Sequence, residues 1–187
     1  TDFDSKLLKI MYTGNLGIAQ DFVTLCKVIK QNKNEKIQWI FIGEGRFKSK
    51  MELRLLNEIN EGKVVFVPQQ KLEDIPSWTD HADFLYLSLN NSKLFSQTVP
   101  AKLQGYMAMG KPILGMLSGE GASIIADAEC GFSSPPGDVS ALNELIKKAL
   151  KTNFQDRRKL GKKGEDFYLK NFHSKIRKKE LIEYLEC

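Results

Sequence analysis

Apolar positions along this chain follow two periods that alternate with one another. Residues 7–13 (LLKIMYT) form a short, largely apolar run of strand length, stopped by Gly14. Ile18, Phe22, Leu25, Cys26 and Ile29 then recur at three- and four-residue spacing, which predicts an amphipathic helix. The strand signature returns at 37–42 (IQWIFI), 64–67, 84–87 and 112–117, and a short sixth run lies at 131–134. Between these runs, Met51, Leu55, Leu56 and Ile59 predict a helix closed by Glu61-Gly62, and residues 72–80 predict a short one. Pro100 opens a further helix that reaches Met109 and stops at Gly110, and another lies around 122–128. Leu142, Leu145, Ile146 and Leu150 mark a helix that Asp138 or Ser140 can cap. Beyond Thr152 the pattern is helical and charged to the end, anchored by Leu160, Phe167, Ile176, Leu181 and Leu185.

Strands alternating with helices over short connections predict an α/β fold: a Rossmann-like parallel sheet of about six strands with helices on both faces. Residues 1–6 read as a polar linker or chain edge, 7–152 as the Rossmann-like domain, and 153–187 as C-terminal helices packing on it or returning to another domain. At 187 residues the chain can bury one sizeable core. A hydrophobic share of 42% with 27% charged excludes disordered and fibrous classes. No apolar run approaches the roughly 18 residues that a membrane helix needs. Cys26, Cys130 and Cys187 are odd in number and lack CxxC spacing, and His81 and His173 are far apart, so reduced thiols in the cytoplasm and no metal site are expected.

The net charge of +5 is concentrated late in the chain, where residues 147–179 carry thirteen Lys or Arg against three Asp or Glu. Such a run is a solvated helix face or a surface for phosphate groups or anionic lipid. Aromatic residues do not interleave with it as on a single-strand-binding platform, so nucleic acid is not an expected partner.

Open parallel sheets bind ligands beyond the carboxyl ends of their strands. The segments there are 14–17 (GNLG), 43–46 (GEGR), 68–70 (PQQ), the loop 89–98 and 118–121 (SGEG), most of them rich in glycine, amide or hydroxyl groups. Neither a GxGxxG fingerprint nor a Walker sequence occurs, which disfavours dinucleotide redox enzymes and P-loop kinases. In TVPAKLQGYMAMGKP (98–112) Lys102 falls in the first turn of a helix that follows a strand and a loop. A cation there opposes the helix dipole, at a cost of about 0.3–1 kcal/mol, unless a bound phosphate turns lysine and dipole into partners. A lysine reaching into solvent is the other reading.

The order YTGNLG, WIFIGEG, VVFVPQQ…DIPSWTDHADFLYLSL, TVPAKLQGYMAMGKPIL and AECGFSSPPGD resembles group 1 (family 4) GT-B glycosyltransferases. Within them it is similar to the bacterial surface-polysaccharide branch that includes N-acetyl-L-fucosamine transferases. The resemblance implies a retaining enzyme of two Rossmann-like domains, of which this chain matches the donor-binding second one. It further implies a nucleotide-sugar donor, UDP-linked, with no cofactor and no bound metal. A missing N-terminal domain would hold most of the catalytic residues, leaving this one inactive alone, and the lipid-linked acceptor would be met at the inner face of the cytoplasmic membrane. Gly14 and Asn15 correspond to the glycine-rich turn near the donor phosphates, but Asn15 and Gln20 stand where the family carries arginine and lysine. The family's paired glutamates fall on Gln97 and Gly105, the second at the ribose position. These departures shift the diphosphate to Lys102 and the backbone of Val99 and Ala101, with Arg46 a second cation. Gln69, Gln70, Gln97 and Thr98 are candidates for base and ribose, and Glu120 and Gly121 for the sugar edge. Rival readings are a UDP-sugar 2-epimerase-like enzyme of the same architecture, with carboxylate and histidine groups in the cleft, and a degenerate, non-enzymatic nucleotide-binding domain.

Overall fold

A computed structural model describes residues 3–173 of the chain. In chain order the elements are β1 (Leu8–Thr13), α1 (Phe22–Gln31), β2 (Ile37–Ile42), α2 (Lys48–Arg54), α3 (Leu56–Asn60), β3 (Val64–Val67), α4 (Ile75–Thr79), β4 (Phe84–Ser88), α5 (Lys93–Ser96), α6 (Ala101–Ala108), β5 (Ile113–Met116), α7 (Glu120–Asp127), β6 (Gly131–Ser134), α8 (Val139–Lys151) and α9 (Phe154–Asn171). All strand pairs are parallel, in the order β3-β2-β1-β4-β5-β6. The expected six-stranded, doubly covered sheet is therefore the fold.

Alternation along the strands feeds two cores. Ile10 and Tyr12 face one side with Trp39, Phe41, Phe84 and Tyr86, and α1 and α8 cover them with Leu25, Ile29, Leu142 and Ile146. Met11, Ile40, Ile42, Leu85 and Leu87 face the other side, where α6, α7 and α9 bring Leu103, Tyr106, Ile125 and Phe167. Central strands buried on both faces read as continuous apolar runs, which is why β2 and β4 are buried throughout. Two caps hold helices where the sequence placed them: Asp138 accepts from Ala141 N at 2.8 Å, and Asn153 from Asp156 N at 2.9 Å.

Several boundaries differ from the sequence pattern. Leu7 lies outside β1, Pro112 and Leu117 lie outside β5, and α7 starts at Glu120 rather than near Ala122. Ile18 belongs to a 3₁₀ turn, Ile18–Gln20, and is 72% exposed, so α1 begins only after Asp21, whose carboxylate caps it through Thr24. The expected second helix is two, α2 and α3. The backbone breaks from helical geometry at Leu55 (φ −111°), turning Leu56 outward to 55% exposure while Leu55 stays buried. Residues 72–80 divide into a 3₁₀ turn, Leu72–Asp74, and α4. The polar loop after β4 contains α5. Ile176, Leu181, Leu185 and Cys187 lie outside the described residues.

Helix α9 closes the second face. Its Gly161 lies against the backbone of Gly110, where a Cβ would overlap the carbonyl. Arg157 pairs with Asp83 at 3.2 Å and donates to Thr152 O at 2.7 Å. Lys159, Lys162 and Lys163 also have carboxylate partners, in Asp156, Glu165 with Asp166, and Glu129. Part of the basic run is thus tied into surface ion pairs.

Candidate functional site

The strand order reverses between β1 and β4, and a crevice opens beyond the carboxyl ends of the strands at that point. It holds a cavity of about 490 Å³. The turn after β1 contributes Gly14 and Asn15, the turn after β2 contributes Gly43 and Glu44, and the segment after β3 contributes Gln69, Gln70, Leu72 and Ile75. Ala101, Lys102, Gly105, Tyr106 and Met109 of α6 and its end form the facing wall.

The turns approach closely because they lack side chains. Gly43 (φ +142°) sits against Gly14, whose carbonyl a Cβ on Gly43 would overlap, and Gly43 N donates to Val67 O at 3.0 Å. Gly14 in turn makes room for Lys102: a Cβ on Gly14 would lie 3.1 Å from the Lys102 Nζ. The lysine comes from α6 on one face of the sheet, yet its ammonium lies 3.7 Å from the centre of the Tyr12 ring, which belongs to the core of the opposite face. It therefore crosses the end of β1 at the one residue that leaves the way open.

No ion pair or hydrogen bond ties up the Lys102 ammonium among the described residues. Burial lowers its pKa from the ordinary 10.5 to about 7. The negative face of the Tyr12 ring opposes that shift, because it favours the charged form. Tyr12 is itself fixed, donating from its hydroxyl to Asn15 O at 2.7 Å, and burial raises its own pKa. Tyr106 is fully buried beneath the wall; its oxygen accepts from Thr13 N at 2.9 Å, and burial pushes its pKa up to about 12. Two tyrosines thus lock the end of β1 and the lysine's seat together. The first turn of α6 adds backbone N–H groups with no intrahelical partner, following Pro100 as the N-cap residue.

The cavity brings together Gly14, Asn15, Gln69, Gln70, Ala101 and Lys102 of the residues expected from sequence. Arg46, Val99, Gln97, Thr98, Glu120 and Gly121 do not line it. Arg46 and Glu120 are exposed, Thr98 donates back to Leu94 O at 3.2 Å, and Gly121 is buried where a Cβ would overlap Leu117. Of residues 97–102, only the last two reach the cavity: Gln97 and Thr98 are exposed, and Val99 packs against the core of the second face instead. Gln20 caps its own turn, accepting from Gly17 N at 3.0 Å. His81 is exposed beside Phe3, with 5.6 Å between ring centres, and does not line the cavity. Sequence reasoning missed Tyr12, Tyr106, Ile75 and Met109, which it read as core or helix pattern. No cluster of three or more potential metal ligands occurs among the described residues.

A profile of the family described as Glycosyl transferases group 1 matches residues 1–167. The chain is 28% identical over 137 residues to a probable glycosyltransferase, WbjE, of Pseudomonas aeruginosa, covering 72% of this chain and 34% of that protein. Its fold is similar to that of HepE from Anabaena, solved in complex with UDP, with TM-score 0.81 and 15% identity over 97% of this chain and 49% of the other. It is also similar to the C-terminal domain of a group 1 family glycosyl transferase, LpcC, from Francisella tularensis, with TM-score 0.72 and 16% identity over 89% of this chain and 87% of that one. The chain spans about a third of WbjE and about half of HepE. With that profile match over most of its length, and a sheet and crevice of the GT-B type, the chain belongs to the group 1 glycosyl transferases.

Proposed function

We propose that this domain binds the nucleotide-sugar donor of a retaining glycosyltransferase, with the donor diphosphate seated against Lys102 and the first turn of α6. The observation that carries this reading is a half-buried lysine whose ammonium has no carboxylate partner among the described residues and is held over Gly14 at the mouth of a cavity. Burying a cation without its counter-ion is costly, and a phosphate supplies that counter-ion. Gly14, Asn15 and Ala101 complete the phosphate end, and Gln69 and Gln70 meet the base and ribose. HepE, which shares the fold, was solved with UDP, and this supports a UDP-linked donor; a hexosyl or N-acetylhexosaminyl group and metal-free transfer follow from the resemblance of the sequence motifs. The proposed division is a Rossmann-like donor domain at 7–152 followed by a C-terminal segment from 153 that begins with α9 (Phe154–Asn171). Because HepE is about twice as long, transfer itself is assigned to the two-domain protein. A role in surface polysaccharide assembly in the cytoplasm, on a lipid-linked acceptor at the inner membrane face, is supported by the order of the sequence motifs.

Calorimetry with UDP, GDP and ADP on the full-length protein tests this. UDP is expected to bind, and Lys102→Ala to weaken it about 10- to 100-fold, the range for losing a charge-assisted contact. Unchanged affinity in Lys102→Ala would remove the phosphate role, and no binding of any nucleotide would favour the degenerate-domain reading.

A further inference from the structure

The ammonium of Lys102 rests 3.7 Å from the centre of the Tyr12 ring, and that ring is not free to turn away from it. Tyr12 is fully buried in β1. Its hydroxyl donates to Asn15 O at 2.7 Å, Phe22 meets it edge to face with 5.2 Å between ring centres, and the Phe41 ring lies 6.4 Å away. The ring is thus held at its tip by a hydrogen bond and at its sides by two core aromatics. The lysine arrives from α6, and Gly14 keeps its approach open, since a Cβ there would lie 3.1 Å from the Lys102 Nζ.

A ring does something here that a carboxylate could not. A carboxylate would keep the lysine charged but cancel that charge, and an arriving diphosphate would have to displace it. The negative face of a ring favours the ammonium over the neutral amine, yet carries no net charge. Burial raises the pKa of Tyr12, so it stays a neutral phenol. The other titratable groups on the cavity are Glu44, in the turn after β2 and held by Lys48 at 2.7 Å, and Tyr106 of α6, which burial pushes up to about 12. The segment after β3 lines it with Gln69, Gln70, Leu72 and Ile75, which do not titrate. Burial pulls the Lys102 pKa down to about 7, and the Tyr12 ring is the contact that opposes this.

We propose that Tyr12 is a positioning residue for donor binding: its ring face holds the Lys102 cation at the cavity mouth, charged and unneutralised, and thereby sets the upper pH limit at which a diphosphate is captured. The inference rests on the donor-binding reading above and adds to it a residue that does not itself line the cavity. A change in the electrons of the ring therefore reaches the ligand through the lysine.

The test is calorimetric titration of the full-length protein with UDP from about pH 6 to about pH 10. Affinity should fall as pH rises through the pKa of the folded lysine, and midpoints are compared between variants so that the ionisation of UDP itself cancels. Tyr12→Phe keeps the ring face and should keep the wild-type midpoint. Ring-fluorinated phenylalanine at the same position keeps the shape but drains the negative face. Relative to Tyr12→Phe it should lower the midpoint by about 0.5–1 pH unit and weaken binding at about pH 8 by roughly 3- to 10-fold. Lys102→Arg, charged throughout this range, should abolish the midpoint. A midpoint unmoved by fluorination, or one that survives Lys102→Arg, overturns the proposal while leaving donor binding in place. If UDP does not bind the wild type at any pH, the donor reading fails and this inference falls with it.

Discussion

Lys102 decides what the residue scale can say. Its ammonium is partly withdrawn from solvent over an aromatic face, so the folded chain holds that proton less tightly than the unfolded chain does. Below about pH 7 both states are protonated and the full cost of burying the charge is present. Between about 7 and 10.5 the folded chain has lost a proton that the unfolded chain keeps, so stability rises with pH across this window. Lys102→Met removes the term. Urea denaturation at pH 6.5 should find the variant more stable by roughly 1–3 kcal/mol, a figure discounted from the full shift because Lys102 is only half-buried and lines the cavity. The gap should narrow towards pH 10, and an equal gap at both ends would refute the assignment. Nucleotide affinity should move the opposite way, weakening above pH 7 as the free lysine loses its charge. Lys102 was legible in the sequence because its position conflicts with the helix dipole. Its seat was not. Thr13 and Tyr106 are 93 residues apart in the chain, and no local period reveals that contact.

At the scale of elements, tight helix packing on the second face depends on glycine in α9. Gly161 meets the Gly110 carbonyl, and Gly164 would bring a Cβ to 3.0 Å from the Cys130 Cβ. Gly161→Ala should push α9 away from the end of α6 and lower stability by about 1–3 kcal/mol, as overpacking does elsewhere. A thermal melt indistinguishable from wild type would mean that α9 is held by its ion pairs instead. The strands were readable because both faces of the sheet are covered, which leaves runs such as IQWIFI apolar at every position but Gln38. The edge strand β6 was readable for another reason: prolines at 135 and 136 stop it. The break at Leu55 was hidden, since Leu55 and Leu56 both suit a helix and only packing against β2 and α1 chooses between them. Ile18 misled in the same way, an apolar residue in phase with α1 that the Asp21 cap leaves outside it.

For the whole molecule, charge and sheet geometry point in different directions. The crevice lies at one end of the strands, whereas the basic groove along α8 and α9 carries Lys148, Lys151, Lys159 and Lys163 around Phe132 and Leu160. Asp156 and Glu129 neutralise part of it, and Lys148 and Lys151 are exposed. Attraction to an anionic leaflet amounts to about 1 kcal/mol per nearby Lys or Arg and is screened by salt. Co-sedimentation with phosphatidylserine-containing vesicles should therefore occur at low salt and fade at high salt. The pair Lys148→Glu and Lys151→Glu should weaken it without changing UDP affinity. No sedimentation at low salt would confine the groove to solvent.

Strand order has one more consequence. The cavity takes Gly14 from the first strand–helix unit and Lys102 from the helix after β4, and β1 and β4 are neighbours in the sheet although β2 and β3 intervene in the chain. The cavity is thus a seam, stitched where two halves of the chain meet. Neither half owns it. A fragment ending before α6 keeps the glycine turns and loses the cation; one beginning after β3 keeps the cation and loses its seat. On the proposed donor-binding reading, nucleotide capture is a property of assembly, and it would report whether the two halves have found each other.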